Sequence, residues 1–188
     1  MIGAILTQNT SWLNVEKALV NLKKNEALSC STIIKMTDEK LAGLLRPVGY
    51  FNVKARRLKN FCNWYQVSHD LEQVTTECLR GELLSINGVG AETADDMLLY
   101  AFNRPVFVID AYTRRLFLRL GLIKEKSDYE SLRLWFESKL IQADNKVELF
   151  NEYHALIVRH AKEHCTARKP LCATCCLKGD CSFVTSTG

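Results

Sequence analysis

Four cysteines near the C-terminal end of the chain have the composition and spacing of a metal-binding loop. Cys165, Cys172, Cys175 and Cys181 follow the pattern C-x6-C-x2-C-x5-C. In a protein of the reducing cell interior, clustered thiols are more often metal ligands than disulfide partners. Four thiolates can bind a zinc ion or an iron–sulfur cluster, so the spacing alone predicts a metal centre and leaves both open. Cys176 adjoins Cys175 but lies outside the pattern, and it is not expected to be a ligand.

A second candidate site is a glycine-containing turn between two helical stretches, at residues 83–94 (LLSINGVGAETA). Its two glycines can adopt positive φ at low cost, and Val89 between them can pack into the helix pair. Such a turn directs backbone N–H groups outward at the start of the second helix, where the positive end of the helix dipole suits a DNA phosphate. The alternative interpretation is an ordinary helical hairpin. The segment therefore predicts a sequence-independent DNA anchor formed by Asn87, Gly88, Val89, Gly90 and Ala91.

The elements that must position these residues are predicted to be helices. Apolar residues recur at helical spacing along the chain, and Thr37, Thr75 and the pair Ser127 and Asp128 stand where helix caps are expected. The one β-like run, residues 106–109 (VFVI), is short and precedes a helical pattern. It fits an extended connection inside an all-α protein better than a strand of a sheet.

Length and composition are those of one globular domain with a small appendage. Of the 188 residues, 47% are hydrophobic, and the formal net charge of +4 permits a polyanionic partner without requiring one. Helical periodicity stops near Cys165, so we predict a helical core at 1–164, a metal-binding loop at 165–181 and a tail at 182–188. The N-terminal residues lack the features of a signal peptide or a membrane span. We therefore expect a monomeric protein of the cytoplasm, associated with the nucleoid if the source is bacterial.

Four separated stretches of the chain together resemble endonuclease III and related helix-hairpin-helix DNA glycosylases. Residues 86–94 (INGVGAETA), followed by 105–110 (PVFVID), match the family's hairpin and downstream aspartate. Residues 5–10 (ILTQNT) and 48–55 (VGYFNVKA) match as well. The resemblance implies an all-α glycosylase bundle acting on double-stranded DNA, with its helix-hairpin-helix at about 77–102. It also implies that an N-terminal segment is missing, because the first matching stretch lies nearer the start of the chain than in full-length relatives.

The same resemblance assigns chemistry to the cysteines and to one aspartate. The cysteine spacing coincides with the [4Fe-4S] loop of endonuclease III, and residues 167–170 (ARKP) also match, so the expected cofactor is a [4Fe-4S] cluster. Removing a base from deoxyribose builds positive charge on the sugar, which requires a fixed carboxylate that can also activate water. Asp110 is the catalytic candidate, and partial burial is expected to raise its basicity. Its alternative role is a helix N-cap, and the two roles can coexist.

One position departs from the endonuclease III pattern. Family members that also cut the strand carry a lysine in the second helix of the hairpin, which forms a Schiff base with the sugar; this chain has Glu92 there. Glu92 is expected not to be catalytic. The departure implies a monofunctional glycosylase, similar to the endonuclease III-related 3-methyladenine DNA glycosylases, which act on alkylated purines. The alternatives are a bifunctional glycosylase and abasic-site lyase for oxidised pyrimidines, and a catalytically inactive DNA-binding module.

Two further residues are expected to open the duplex, because a base must be flipped out before a carboxylate can act on its sugar. By resemblance, Gln8 corresponds to the residue whose polar side chain enters the vacated space. Tyr50 corresponds to the wedge residue whose aromatic ring stacks beside the orphaned base. Alternatively, Gln8 bonds to local backbone, and Tyr50 packs beneath the turn formed by Pro47, Val48 and Gly49.

Overall fold

The chain folds into helices and the connections between them. A computed structural model describes residues 1–140 and 144–186, and within these ranges no β-strand is formed. The all-α prediction is confirmed. The chain divides into two compact units, Met1–Phe102 and Asn103–Gly188, at a boundary inside the predicted 1–164 core that composition did not indicate. In the described ranges, no helix combines the length and hydropathy of a bilayer span.

The first unit is described throughout and contains seven α-helices and one 3-10 helix. Helix α5 packs against α1, α3 and α4, and the helices α6 and α7 form the predicted hairpin. The helices are α1 (Ile2–Leu6), α2 (Trp12–Lys24), α3 (Cys30–Lys35), α4 (Asp38–Leu44), the 3-10 helix Arg46–Val48, α5 (Phe51–Val67), α6 (Thr76–Ser85) and α7 (Ala91–Tyr100).

Local sequence explains where several of these helices begin. Thr37 caps α4 by accepting the N–H of Lys40 at 3.3 Å, and Thr75 caps α6 by accepting the N–H of Cys78 at 3.2 Å. Both caps were predicted, and both satisfy a backbone donor that the first helical turn leaves unpaired.

A buried ion pair joins the two helices of the hairpin. Asp95 of α7 is fully buried, and its carboxylate oxygens accept hydrogen bonds from Nε and Nη2 of Arg80 in α6 at 2.6 and 3.1 Å. A buried carboxylate is tolerated when it is paired, and the bidentate geometry fixes direction as well as distance. The pair therefore sets how α6 and α7 lie against each other.

In the second unit, described at 103–140 and 144–186, an extended segment leads into a group of helices. Residues 103–110 form no helix or strand, and Val106, Phe107, Val108 and Ile109 are buried, which confirms the predicted extended connection. The following elements are α8 (Ala111–Leu120), α9 (Tyr129–Lys139), α10 (Lys146–Glu163), the 3-10 helices Cys172–Thr174 and Lys178–Asp180, and α11 (Ser182–Ser186). The last two residues of the predicted 182–188 tail lie outside the described residues.

Helix α9 supplies the hydrogen-bond partners that a neighbouring strand would otherwise provide for this segment. Glu137 accepts the N–H of Phe107 at 3.0 Å, and the hydroxyl of Tyr129 accepts the N–H of Ile109 at 3.4 Å. The ring of Phe107 also stacks on Phe136, with centroids 4.6 Å apart. Polar contacts and aromatic packing together fix the segment that leads into α8.

Candidate functional site

The hairpin between α6 and α7 uses its two glycines differently. Gly88 has φ +99°, in the left-handed region, whereas Gly90 has ordinary extended angles (φ −95°, ψ 177°) and is the N-cap of α7. The turn therefore needs the conformational freedom of Gly88 and not that of Gly90, which corrects the expectation for the second glycine. Val89 is buried as predicted, its N–H donates to the carbonyl of Ile86 at 2.9 Å, and Asn87 is exposed.

The start of α7 presents the positive end of a helix without a side-chain cap, because Gly90 has no side chain to supply one. The first-turn N–H groups of an uncapped helix are suited to an anionic acceptor from outside, such as a phosphate. The hairpin has the form that a backbone anchor for DNA requires, and its binding role stays a prediction.

Gln8 is hydrogen-bonded to the hairpin rather than to its own segment. Its Nε2 donates to the carbonyl of Gly88 at 3.0 Å and to Oγ1 of Thr93 at 2.9 Å, while its Oε1 accepts a hydrogen bond from Arg57. The stem of Arg57 lies against Gly88, where an added Cβ would come within 2.2 Å of the arginine Cγ. One polar network therefore joins the segment after α1, helix α5 and the hairpin.

An open groove runs beside this network. Glu92 lies in the first turn of α7 and is exposed, where a carboxylate interacts favourably with the helix dipole. Among the residues that line the groove there are amide, guanidinium and carboxylate groups, and none is an amine. The lining residues are Gln8, Asn9, Arg57, Gly88, Val89, Gly90, Glu92 and Thr93.

Tyr50 projects from the surface immediately before α5. It is 75% exposed and has left-handed backbone angles (φ 45°, ψ 32°), which non-glycine residues rarely adopt. The alternative in which Tyr50 packs beneath the preceding turn is therefore not observed. A strained backbone that holds an aromatic ring in solvent is a feature of functional positions.

Lys54 ties together the segments that carry Gln8 and Tyr50. Its side chain is buried, and its Nζ donates to the carbonyls of Leu6 at 3.0 Å and Val48 at 2.7 Å. Leu6 ends α1 shortly before Gln8, and Val48 ends the 3-10 helix shortly before Tyr50. Burial, the main cause, lowers the pKa of Lys54 below its ordinary value.

Asp110 caps α8 and also faces a histidine. Its Oδ1 accepts the N–H of Thr113 at 2.7 Å, so the N-cap role is present. Its Oδ2 lies 3.5 Å from Nε2 of His154 in α10, and its side chain is only 13% exposed. Burial raises the pKa of Asp110, but the opposing effects of His154 and Thr113 leave that pKa below its ordinary value. The expectation that Asp110 is more basic than an ordinary aspartate is wrong, because these partners stabilise the ionised form and outweigh the effect of burial.

The four predicted cysteine ligands line one cavity in the second unit. Cys165, Cys172, Cys175 and Cys181 line it together with mostly apolar side chains. Cys176 is exposed and is not among the lining residues. In the described part of the chain, no three His, Cys, Asp or Glu side chains lie close enough to hold a single metal ion. The four thiols and the cavity that they line fit a metal centre that is bound by four cysteine thiolates.

Two arginines of α8 hold the loop that begins at Cys165. Arg119 donates to the carbonyls of Cys165 at 3.3 Å and Thr166 at 2.8 Å, and its Nη1 lies 3.2 Å from the Cys165 Sγ. Arg115 donates to the carbonyls of Cys165 and Ala161, both at 2.9 Å. Backbone carbonyls at the end of α10 and the start of the loop are thus satisfied by guanidinium groups.

Comparison with known proteins identifies the family. The sequence profile of the HhH-GPD superfamily base excision DNA repair proteins matches residues 2–140. The chain belongs to this family. It is a base-excision DNA glycosylase of the endonuclease III-like kind, which confirms the resemblance found in the sequence.

Two relatives and one further structure indicate the extent of the likeness. The glycosylase is 48% identical over 187 residues to MJ1434 of Methanocaldococcus jannaschii, whose name classes it provisionally as a DNA repair glycosylase; 96% of this chain and 83% of that protein are covered. It is 33% identical to the H. pylori 3-methyladenine DNA glycosylase MagIII in a crystal structure with bound 1,N6-ethenoadenine (TM-score 0.74, 86% and 83% of the chains). A non-covalent endonuclease III–DNA complex has the same fold (TM-score 0.80, 24% identity, 99% and 83% of the chains).

Two buried polar residues of the glycosylase were not predicted, although the sequence carries a signal for both. Lys54 lies one helical turn from the buried Leu58, and His154 lies one turn from the buried Phe150. A titratable residue on the apolar face of an amphipathic helix needs a polar partner. The partners themselves lie on other elements, and helical spacing does not identify them.

A methyl group at Gly88 is expected to disturb the hairpin, and the same group at Gly90 is not. Gly88→Ala would hold an alanine at left-handed φ against the stem of Arg57, so we expect a loss of about 1–3 kcal/mol of stability and weaker binding to duplex DNA. Gly90→Ala meets no atom within 4 Å and has ordinary φ, so it serves as the matched control for stability. Thermal unfolding and fluorescence anisotropy with a DNA duplex measure the two effects. Equal losses in the two variants would show that the turn does not depend on the left-handed conformation of Gly88.

Proposed function

We propose that this glycosylase hydrolyses the N-glycosidic bond of an alkylated purine in double-stranded DNA and leaves an intact abasic site. The observation that carries the proposal is the carboxylate of Asp110, which is largely buried between the N–H of Thr113 and Nε2 of His154. The likeness to an H. pylori 3-methyladenine DNA glycosylase supports the substrate class. 3-Methyladenine is therefore the first base to test.

In this mechanism Asp110 stabilises the positive charge that develops on the deoxyribose as the bond between C1′ and the base breaks. Because the pKa of Asp110 lies below its ordinary value, the carboxylate is negative at neutral pH. Its Oδ1 accepts the N–H of Thr113, and its Oδ2, 3.5 Å from Nε2 of His154, would use its remaining lone pair to face the sugar and the attacking water. Water adds to C1′, and its proton passes to the carboxylate or to the departing base.

Glu92 supports a monofunctional reaction. It occupies the position of the family's lysine, and a carboxylate cannot form the imine through which a lyase cuts the strand. We assign Glu92 no catalytic role, because its exposed position in the first turn of α7 is accounted for by the helix dipole. The expected product is thus an abasic site in an uncut strand.

The residues of the first unit are proposed to bind and open the duplex. Backbone N–H groups at 87–91 would bind a phosphate without regard to sequence. Tyr50, exposed on its strained backbone, would stack beside the orphaned base. Gln8 would fill the space left by the flipped nucleotide, exchanging its hydrogen bonds to Gly88 and Thr93 for bonds to DNA.

We further propose that Cys165, Cys172, Cys175 and Cys181 hold a [4Fe-4S] cluster, and that Cys176 is not a ligand. The shared cavity of the four thiols supports this assignment. When bound, the cluster would supply covalent cross-links that fold the C-terminal loop, rather than chemistry at the sugar. A monomeric enzyme of the cytoplasm, with damaged duplex DNA as its partner, stays a prediction.

A panel of damaged duplexes tests the proposed function. The protein is incubated with duplexes bearing methylated purines, oxidised pyrimidines or a bare abasic site, and the strands are resolved with and without alkali. We expect strand breakage at methylated purines that depends on alkali, and no covalent protein–DNA adduct on borohydride reduction, because no Schiff base forms. Asp110→Asn is the control, and it should abolish excision while leaving DNA binding in place.

Direct breakage at oxidised pyrimidines or abasic sites, with efficient borohydride trapping, would instead support the bifunctional enzyme. Duplex binding without excision of any base in the panel would support a DNA-binding module. Either result would overturn the proposal.

Replacing one cluster ligand should release iron, and replacing the neighbouring free cysteine should not. Cys172→Ser removes one of four thiolates, so we expect lower iron and sulfide content and a less stable C-terminal loop. Cys176→Ser is the matched control and should retain both elements. Iron and sulfide analysis with visible absorption measures the outcome; one tightly bound zinc without sulfide in the unmodified protein would contradict the assignment.

A further inference from the structure

The two oxygens of the Asp110 carboxylate have different surroundings. Oδ1 accepts the backbone N–H of Thr113, which is the ordinary bond of an N-cap residue. Oδ2 lies 3.5 Å from Nε2 of His154, on a different helix. The N-cap uses one oxygen, so the histidine at the other oxygen has a separate role.

Asp128, the N-cap of α9, provides a comparison within the same chain. It accepts the N–H of Ser131 at 2.9 Å, just as Asp110 accepts that of Thr113. Asp128 is exposed to solvent, and no histidine is among the groups that act on its pKa. Capping a helix therefore requires neither burial nor a histidine, and Asp110 has both.

His154 lies on the apolar face of α10, where an imidazole has few polar neighbours. It is 7% exposed, and its ring meets the ring of Phe107 edge-on, with centroids 6.5 Å apart. Burying a polar ring beside an aromatic side chain costs free energy unless the ring has a polar partner, and Asp110 supplies one. Phe107 also belongs to the extended segment that leads to Asp110. The same segment therefore packs against the imidazole of His154 and positions the carboxylate of Asp110.

The other titratable groups around this pair are engaged elsewhere. On α9, Glu137 accepts hydrogen bonds from the backbone N–H of Phe107 and from the guanidinium of Arg133. The hydroxyl of Tyr129 accepts the backbone N–H of Ile109. On α10, Tyr153 lies beside His154, and burial raises the pKa of its phenol, which keeps it neutral. His154 is the basic side chain among the groups that act on Asp110.

We propose that His154 is a positioning residue for base excision: it orients Oδ2 of Asp110 and, when protonated, compensates the buried negative charge. The inference rests on the proposed function, in which Asp110 is the catalytic carboxylate. His154 need not touch DNA for this role. Its contribution belongs to the chemical step and not to the binding of the duplex.

Two substitutions of His154 separate positioning from folding. His154→Leu removes the polar ring, and His154→Gln keeps an N–H donor but no charge. Each variant, in excess over duplex DNA methylated with dimethyl sulfate, is assayed for the single-turnover release of methylated purines across a range of pH. The dissociation constant for a duplex with an abasic-site analogue and the thermal unfolding of each variant are measured alongside.

For His154→Leu we expect a fall of about tenfold or more in the single-turnover rate, with little change in the dissociation constant. We also expect the acid limb of the pH–rate profile to move to higher pH. Without the imidazole, the effect of burial on the pKa of Asp110 is offset by Thr113 alone, so the carboxylate is protonated at a higher pH than in the unmodified protein. His154→Gln should recover part of the rate at neutral pH, because its side-chain amide can still present an N–H to Oδ2, but its acid limb should stay displaced.

An unchanged rate and acid limb in folded His154→Leu would overturn the inference. If that variant fails to fold, His154→Gln alone provides the test, and an acid limb at the same pH as in the unmodified protein would overturn the inference. Asp110→Asn in the same series distinguishes the two claims. If Asp110→Asn retains excision, the proposed function fails; if it loses excision while both His154 variants behave as the unmodified protein, only the inference about His154 fails.

Discussion

A negative charge held away from water is the constraint around which the second unit is organised. A carboxylate that is to face a developing sugar cation must be fixed and poorly solvated, and its partners must offset the cost of desolvation. Asp110 has such partners in the N–H of Thr113 and in His154. Their positions depend on the extended segment before α8, whose N–H groups bind α9 and whose Phe107 packs in the aromatic core. The packing of this segment therefore helps to fix where the carboxylate lies.

In the first unit, shared hydrogen-bond partners hold the residues that are proposed to contact DNA. Gln8 is bound by the hairpin and by Arg57, and Lys54 joins the end of α1 to the turn before Tyr50. Buried or half-buried polar groups thus link Tyr50, Gln8 and the hairpin that is proposed to bind phosphate. A change at one of them is expected to shift the others, because few of their hydrogen bonds can be made independently.

The sequence predicted those features that depend on local spacing. The caps at Thr37 and Thr75 and the hairpin between α6 and α7 follow from residues close together in the chain, although only Gly88 of its two glycines is left-handed. The contact of Arg57 with Gln8, 49 positions away, depends on how α5 packs, and no spacing in the sequence signals it. The direction in which the pKa of Asp110 is shifted was predicted wrongly for the same reason. Burial alone raises this pKa, and a histidine on another helix reverses the result. Exposure of Tyr50 likewise follows from the backbone angle of its turn.

Whether Asp110 faces positive charge on the sugar is tested most directly by the binding of two duplexes. One carries an uncharged tetrahydrofuran abasic analogue, and the other carries a pyrrolidine analogue that is cationic at neutral pH. We expect the unmodified glycosylase to bind the cationic duplex more tightly, and Asp110→Asn to lose about tenfold or more of that preference, which corresponds to about 1.4 kcal/mol. The same preference in both proteins would contradict the central claim, because the carboxylate would then not act on the charge that excision creates.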